Sequence, residues 1–300
     1  MSSEDLELFD PTFLSRLRTL FFKLRKRRQL RRKGIQPTPV AGFTREFKDY
    51  RHYVAGDDYR TIDWRLFARH ERMFIRIFEE AQEFHVHLLL DRSRSMIEPF
   101  SEKRINALRL AAALAYLALI GQHRVSILTL ADDIRRETQP LKGQGHIHSI
   151  LTALTELEFE GTTDLQGSLS RFRPGRDRKG IVFVISDLFG KSPESSRTAL
   201  TNAISWPAET HVVHVLDTKE LKPDLEGEIM LQDVETNEVR RMWLTKREMA
   251  GYTRALEKYM EDLESTCMAR QIDYVPWTTD LHFEDMFLAL LSRGSTLAGA

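Results

Sequence analysis

HVHLLLDRSRSM, residues 85–96, is the stretch on which the reading of this chain turns. Val86 and three consecutive leucines make a short run apolar on both faces, the pattern of a strand buried inside a sheet rather than lying on its surface. The run stops on Asp91, and Ser93 and Ser95 follow at alternate positions. A buried strand that ends on an acid and two hydroxyls carries hard oxygen donors to a sheet edge, a donor set that suits a divalent cation.

Working outward, the same kind of run recurs at RVSILTL (124–130), GIVFVISD (180–187), THVVHVLD (210–217) and IDYVPWTTD (272–280). Helical periodicity fills the gaps, over Lys103 to Ile120, His146 to Leu157, Leu165 to Phe172, Pro193 to Ile204 and Lys246 to Arg270. Strands alternating with helices pair in parallel and carry helices on both faces, so the fold class is α/β with a doubly wound, mostly parallel sheet. Residues 227–244 break the rhythm with two alternating runs about a polar turn, an inserted β-hairpin. Residues 40–84, with short strand-like pieces around VAGDDYRTIDW, read as a β-rich N-terminal extension, and 85–293 as the main domain.

Ahead of these lies an arm, residues 1–39. From Pro11 to Ile35 it holds ten Lys or Arg and no acid, although the whole chain has zero formal net charge, so the remainder is acidic by the same amount. Phe13, Leu14, Leu17, Leu20, Phe21 and Leu24 recur at helical spacing and make an amphipathic basic helix. Such a helix either packs on its own domain or serves as a peripheral anchor to an anionic membrane or nucleic acid, trailed by the run KRRQLRRK (26–33). Gly34 to Pro39 reads as a linker.

The single cysteine, Cys267, excludes an intrachain disulfide framework. Leu108 to Ile120 is too short to span a bilayer and is interrupted by Arg109, which makes it a core helix. Met1 to Asp10 is acidic rather than signal-like, and the expected compartment is the cytoplasm. Nucleotide-binding and hydrolase loops of the forms G-x-x-x-x-G-K-[ST], G-x-G-x-x-G and G-x-S-x-G are absent from the sequence.

Ligands of an open parallel sheet collect beyond the carboxyl ends of its strands. Asp91, Ser93 and Ser95 stand at one such end, Asp187 at another, and the loop EGTTD brings Thr162, Thr163 and Asp164 ahead of a helix. This arrangement resembles the metal-ion-dependent adhesion site of von Willebrand factor A domains, which reads D-x-S-x-S, then a separated Thr, then a separated Asp. The resemblance assigns Asp91, Ser93, Ser95, Thr163 and Asp187 as the set that holds Mg²⁺ or Mn²⁺, with Thr162 the alternative to Thr163. It also implies that one coordination position stays open for a partner's carboxylate. Arg92 and Arg94 depart from the small residues usual between the motif positions.

A second resemblance spans about residues 40 to 293. GDDYRTIDWRLFAR (56–69), LDTKELKPDLEGEIMLQDVETNE (216–238) and CMARQIDYVPWTTD (267–280) are similar to blocks of the bacterial family catalogued as domain of unknown function 58. That resemblance implies a MoxR-type AAA+ ATPase as partner and an adaptor or co-chaperone role without catalytic residues. Two alternatives stand beside it: a metal-dependent hydrolase with Asp164 or Asp58 as base, and an anchor acting through the basic arm. Within the signature, Asp57 and Asp58 have the chemistry to accept turn N–H groups, Arg60 to pair with an acid, and Trp64 to anchor the extension. His85 and His87, on one strand face, read as packed or hydrogen-bonded in preference to zinc-binding.

Overall fold

The computed structural model describes residues 8–9, 12–13, 15–20, 44–81, 83–162, 164–175, 180–190, 192–202, 206–233 and 238–293. Two compact units emerge, one of Arg27–Glu83 and one in which Met1–Lys26 joins Phe84–Gly299. In the smaller unit β1 (Thr44–His52) pairs antiparallel with β2 (Phe74–Ala81), and α1 (Trp64–His70) lies between them in sequence. Turn chemistry organises its GDDYRTIDW segment. Asp57 takes a two-pronged ion pair from Arg51, at 2.7 Å on each oxygen, and a backbone bond from Val54. Asp58 accepts from the Arg60 N–H, and Asp63 caps α1 through the Arg65 and Leu66 N–H groups. Of the signature's acids, Asp57 is thus the one that Arg51 pairs. Trp64 is 59% exposed, its ring edge-on to Phe67 of its own helix.

The larger unit is built on β3 (His85–Asp91), β4 (Arg124–Leu130), β5 (Ile134–Arg136), β6 (Leu141–Lys142), β7 (Gly180–Ser186), β8 (Ala208–Leu216) and β11 (Asp273–Thr278). The strand order is β11-β8-β7-β3-β4-β5, with β6 also on β4. Every neighbour from β11 to β4 is parallel; only the short edge strands β5 and β6 run antiparallel. This is the doubly wound, mostly parallel α/β sheet expected. The hairpin also forms, as β9 (Gly227–Gln232) against β10 (Val239–Leu244).

Strand alternation sorts the core into two halves. Val86, Leu88, Leu90, Ile181, Phe183, Ile185, Val213, Val215 and Trp277 face α2 (Glu102–Ile120), α3 (Ile147–Thr155) and α8 (Phe283–Arg293). On the other side Leu89, Val182, Val184 and Val212 face α4 (Leu165–Arg171), α5 (Pro193–Asn202) and α7 (Lys246–Met268). Helix α2 is buried nearly all round, and its alanines let sheet and neighbouring helices approach closely. A short helix, α6 (Thr218–Leu221), follows β8 and is closed by a capping box of Asp217 and Glu220. Among the described residues no helix is long and apolar enough to cross a membrane.

The described residues of the arm join the same core. Leu8, Leu17 and Leu20 are buried with α2 and α8, and Phe13 packs edge-on to Phe283. The described part of the apolar stripe therefore lies against the chain's own domain, the packed alternative for this arm. Leu14, Phe21, Leu24, the run KRRQLRRK and the linker lie outside the described residues.

Two buried histidines make this core sensitive to acid. Burial pushes His87 down to about 3, helped by the charges of His85 and Arg136. His214 is held at about 4, again by burial, against the pull of Asp187. Both folded values lie below the ordinary imidazole value, so only the unfolded chain takes a proton as pH falls from about 6.5. Each site then removes about 1.4 kcal/mol of stability per pH unit until its folded value is reached. His87→Leu is expected to lose about 2 kcal/mol less than the native chain between pH 7 and pH 5, read by urea unfolding at both pH values. Equal losses would show that His87 carries none of the acid sensitivity.

Candidate metal centre

Sheet register brings the first two predicted positions together. Leu90 of β3 is opposite Ile185 of β7, so Asp91 comes level with Ser186, and Asp187 follows one residue beyond the strand. Asp91 is fully buried. Its Oδ2 accepts from Ser186 Oγ at 2.6 Å and its Oδ1 from the Ser93 N–H at 2.9 Å. Burial first, and then the charge of Asp187, push the Asp91 carboxyl up to about 6, against the hydrogen bonds from Ser186 and Ser93. An acid whose ionisation is made costly by burial and by a neighbouring acid marks a place that favours added positive charge.

Ser93 stands at the N-cap of the single turn Arg94–Met96, yet its side chain makes no capping bond. Its Oγ instead shares a hydrogen bond with Ser95 Oγ, 3.0 Å away. That spacing supplies the fit test for a cation: adjacent vertices of an octahedron with metal–oxygen distances of about 2.1 Å lie about 3.0 Å apart. The donors are all oxygen, and Ser95 is half-buried where Ser93 is buried, so the pair reaches from the core toward solvent. These residues fit Mg²⁺ or Mn²⁺.

The third predicted element is placed only in part. Backbone bonds from Glu160 to Arg92 and from Arg94 to Gly161 tie the loop at 160–162 to the serine loop, with Gly161 at φ +84° making the bend. Thr163 itself lies outside the described residues. Thr162 Oγ1 donates to Asp132 at 2.7 Å and so is used away from the serine pair. Asp164, one of the two candidate bases, caps α4 through the Gly167 N–H, and Asp58, the other, caps its own turn. Arg94 pairs with Glu98 in the open, while the largely buried Arg92 lies 3.8 Å from Glu160.

Around Asp187 the structure adds residues that sequence reasoning missed. Asp187 is fully buried; Oδ1 accepts from the Phe189 N–H at 3.2 Å and Oδ2 from Lys103 Nζ at 3.0 Å. Lys103, only 1% exposed, also donates to Glu220 Oε1 at 2.6 Å. Burial opposes its charge, but Asp187 and Glu220 outweigh that and hold the ammonium above its usual range. Leu188 adopts φ +56°, a strained position for a leucine, and is pinned by Ser186, Ser196 and Tyr259. The backbone leaving Asp187 is thereby fixed on three sides. The Asp217-x-x-Glu220 capping box was a visible signal for Glu220, whereas Lys103 looks like any lysine in a first helical turn.

Other candidate ligands have local partners. The rings of His85 and His87 lie tilted to each other with centroids 3.9 Å apart; His85 pairs with Ser126 and His87 lies edge-on to Phe172. His211 sits between Glu209 and Asp273, 3.1 Å from each but on opposite ring nitrogens, so the carboxylates bracket the ring instead of converging with one lone pair. Cys267 is buried and its thiol is pushed up to about 12, by burial and then by Glu264, which makes it a packing residue.

Two curated relatives, "Uncharacterized protein Rv1480" of Mycobacterium tuberculosis and "Uncharacterized protein Mb1516" of Mycobacterium bovis, are each 26% identical over 266 residues, covering 87% of this chain and 83% of their own length. The solved structure of "conserved hypothetical protein BatB" from Bacteroides thetaiotaomicron aligns at a TM-score of 0.41 and 15% identity, over 72% of this chain and 100% of that one. A von Willebrand factor type A structure from Catenulispora acidiphila aligns at 0.44 and 10% identity, over 75% of this chain and 44% of that one. A family model described as protein of unknown function DUF58 matches residues 49–260, and by that match the chain belongs to the DUF58 family.

Proposed function

We propose that this chain is a non-enzymatic, Mg²⁺-dependent (or Mn²⁺-dependent) protein-binding adaptor or co-chaperone of the cytoplasm, which docks an acidic side chain of its partner on the metal centre. Ser93 and Ser95 would hold the ion directly, with Thr163 completing the set. Asp91 and Asp187, behind them, supply charge. When bound, the ion supplies an electrophilic position for a carboxylate. Keeping the acids at one remove leaves the ion's charge incompletely neutralised, which is what capture of a further Asp or Glu requires. The observation that carries the reading is the uncapped Ser93 hydroxyl, 3.0 Å from Ser95 at the carboxyl edge of the sheet. The family resemblance makes a MoxR-type AAA+ ATPase the partner class.

The test is capture of the MoxR-type ATPase from the same organism on the immobilised full chain. An ATPase uses Mg²⁺ itself, so the decisive comparison holds Mg²⁺ constant and sets the native chain against the Ser93→Ala/Ser95→Ala double variant. The variant is expected to retain at least about tenfold less ATPase, a loss of about 1.4 kcal/mol. EDTA should reduce native capture to the same level. Equal retention by the two chains would contradict the proposal.

A further inference from the structure

We infer that Lys103 is the residue that sets how strongly the metal centre holds a divalent ion, acting as a resident positive charge against which the ion must bind. The inference rests on the metal reading above and concerns the regulation of that same site. Lysine is almost never fully buried unless paired, and Lys103 is buried to the last few atoms between Asp187 Oδ2, at 3.0 Å, and Glu220 Oε1, at 2.6 Å. Its position is unfavourable on local grounds. The first turn of the 19-residue helix α2 is the positive end of the helix dipole, where an acid is stabilised and a cation is not. The ammonium is therefore held there by its two carboxylate partners, 84 and 117 residues away in sequence.

Two consequences follow from that placement. Without an ion, Lys103 fixes Asp187 and offsets part of the negative charge of Asp91, Asp187 and Glu220, so the empty edge is tolerable. With an ion, the same ammonium repels it across a buried region where charges are weakly screened. One lysine does not neutralise three carboxylates, so the edge still attracts a divalent ion, but less than the bare acids would. A partner's carboxylate restores the missing negative charge, and ion and acidic partner should then bind with positive coupling.

Mn²⁺ binding to the full-length chain, measured by titration calorimetry and by loss of the free-Mn²⁺ paramagnetic signal, tests this with charge variants of opposite sign. Lys103→Met is expected to bind Mn²⁺ at least about tenfold more tightly than the native chain, and Glu220→Gln at least about threefold more weakly. Lys103→Arg, which keeps the charge, should stay within about threefold of native. A merely structural lysine predicts something different, because both neutralising variants disturb the setting of Asp187 and would both weaken binding. Tighter binding in Lys103→Met supports the inference. Binding no tighter than native in a folded Lys103→Met chain overturns it. Should that variant fail to fold, Lys103→Gln, which also removes the charge, takes its place, and Mn²⁺ affinity no higher than native in a folded Lys103→Gln chain overturns the inference. If no chain binds Mn²⁺ at millimolar concentration, the metal reading falls and this inference with it.

Discussion

Replacing Asp91 with asparagine is expected to abolish the stabilisation of this protein by Mg²⁺ while leaving the ion-free protein at least as stable as the native chain at pH 7.5. Asparagine keeps an oxygen for the Ser93 N–H and nearly the same volume, and Ser186 can turn its hydroxyl to meet the new amide group. What disappears is a buried negative charge beside Asp187. The sign of the effect follows from the folded carboxyl value of about 6. A carboxyl raised above its unfolded value costs stability as pH rises from about 4 to about 6, and the penalty is complete above that. Removing the charge lifts a penalty of about 1–3 kcal/mol at pH 7.5 and about half of it at pH 5. Thermal melts with and without Mg²⁺ at both pH values read this out. The native chain should gain several degrees from millimolar Mg²⁺ at pH 7.5, and the variant none. Equal Mg²⁺ stabilisation of the two would remove Asp91 from the centre. Asp91→Ala should lose Mg²⁺ as well, but it leaves the Ser93 N–H and the Ser186 hydroxyl unsatisfied, at about 1–3 kcal/mol each.

The largest loss of stability is expected from Trp277→Ala. Trp277 is the largest fully buried side chain, on β11, with its Nε1–H donated to Asn106 Oδ1 of α2 at 3.1 Å and its ring edge-on to Phe283 of α8 at 5.5 Å. One side chain thus joins a sheet edge to two helices on the same face. Truncation removes the buried ring, leaves a cavity and strands the Asn106 amide, at a total of about 3–5 kcal/mol. Trp277→Phe keeps most of the apolar contact and is expected to cost about half as much. Urea unfolding measures both. A cost under about 1 kcal/mol for the alanine variant would mean that β11 and α8 do not pack as described.

Much of this architecture is legible in the residues themselves. HVHLLLD, RVSILTL and GIVFVIS can only be strands buried on both faces, and β3 and β4 have the same bounds as their sequence runs. Acids at 91 and 187 fall at strand ends because parallel topology puts them there. The edge strands β5 and β6 are not legible in the sequence: runs of three and two residues carry too little period to register. Helix α8 is legible in the sequence, since Phe283, Phe287, Leu290 and Leu291 hold helical spacing.

The amphipathic arm shows a different limit. Its stripe is plain in the sequence, but periodicity gives a face and not what covers the face, and only packing shows Leu17 and Leu20 inside the main core. Lys103 is the strongest case. A lysine in a first helical turn reads as solvated, and the two acids that bury it come from distant strand and helix ends. Long-range ion pairing has no local period to betray it.

Anomalous diffraction from crystals of the native chain and of Asp91→Asn soaked in Mn²⁺ locates any divalent ion held at the edge formed by Asp91, Ser93, Ser95 and Asp187. A native peak is expected about 2.2 Å from both Ser93 Oγ and Ser95 Oγ, and none in the variant. A native crystal in millimolar Mn²⁺ with no peak between those hydroxyls would contradict the metal reading.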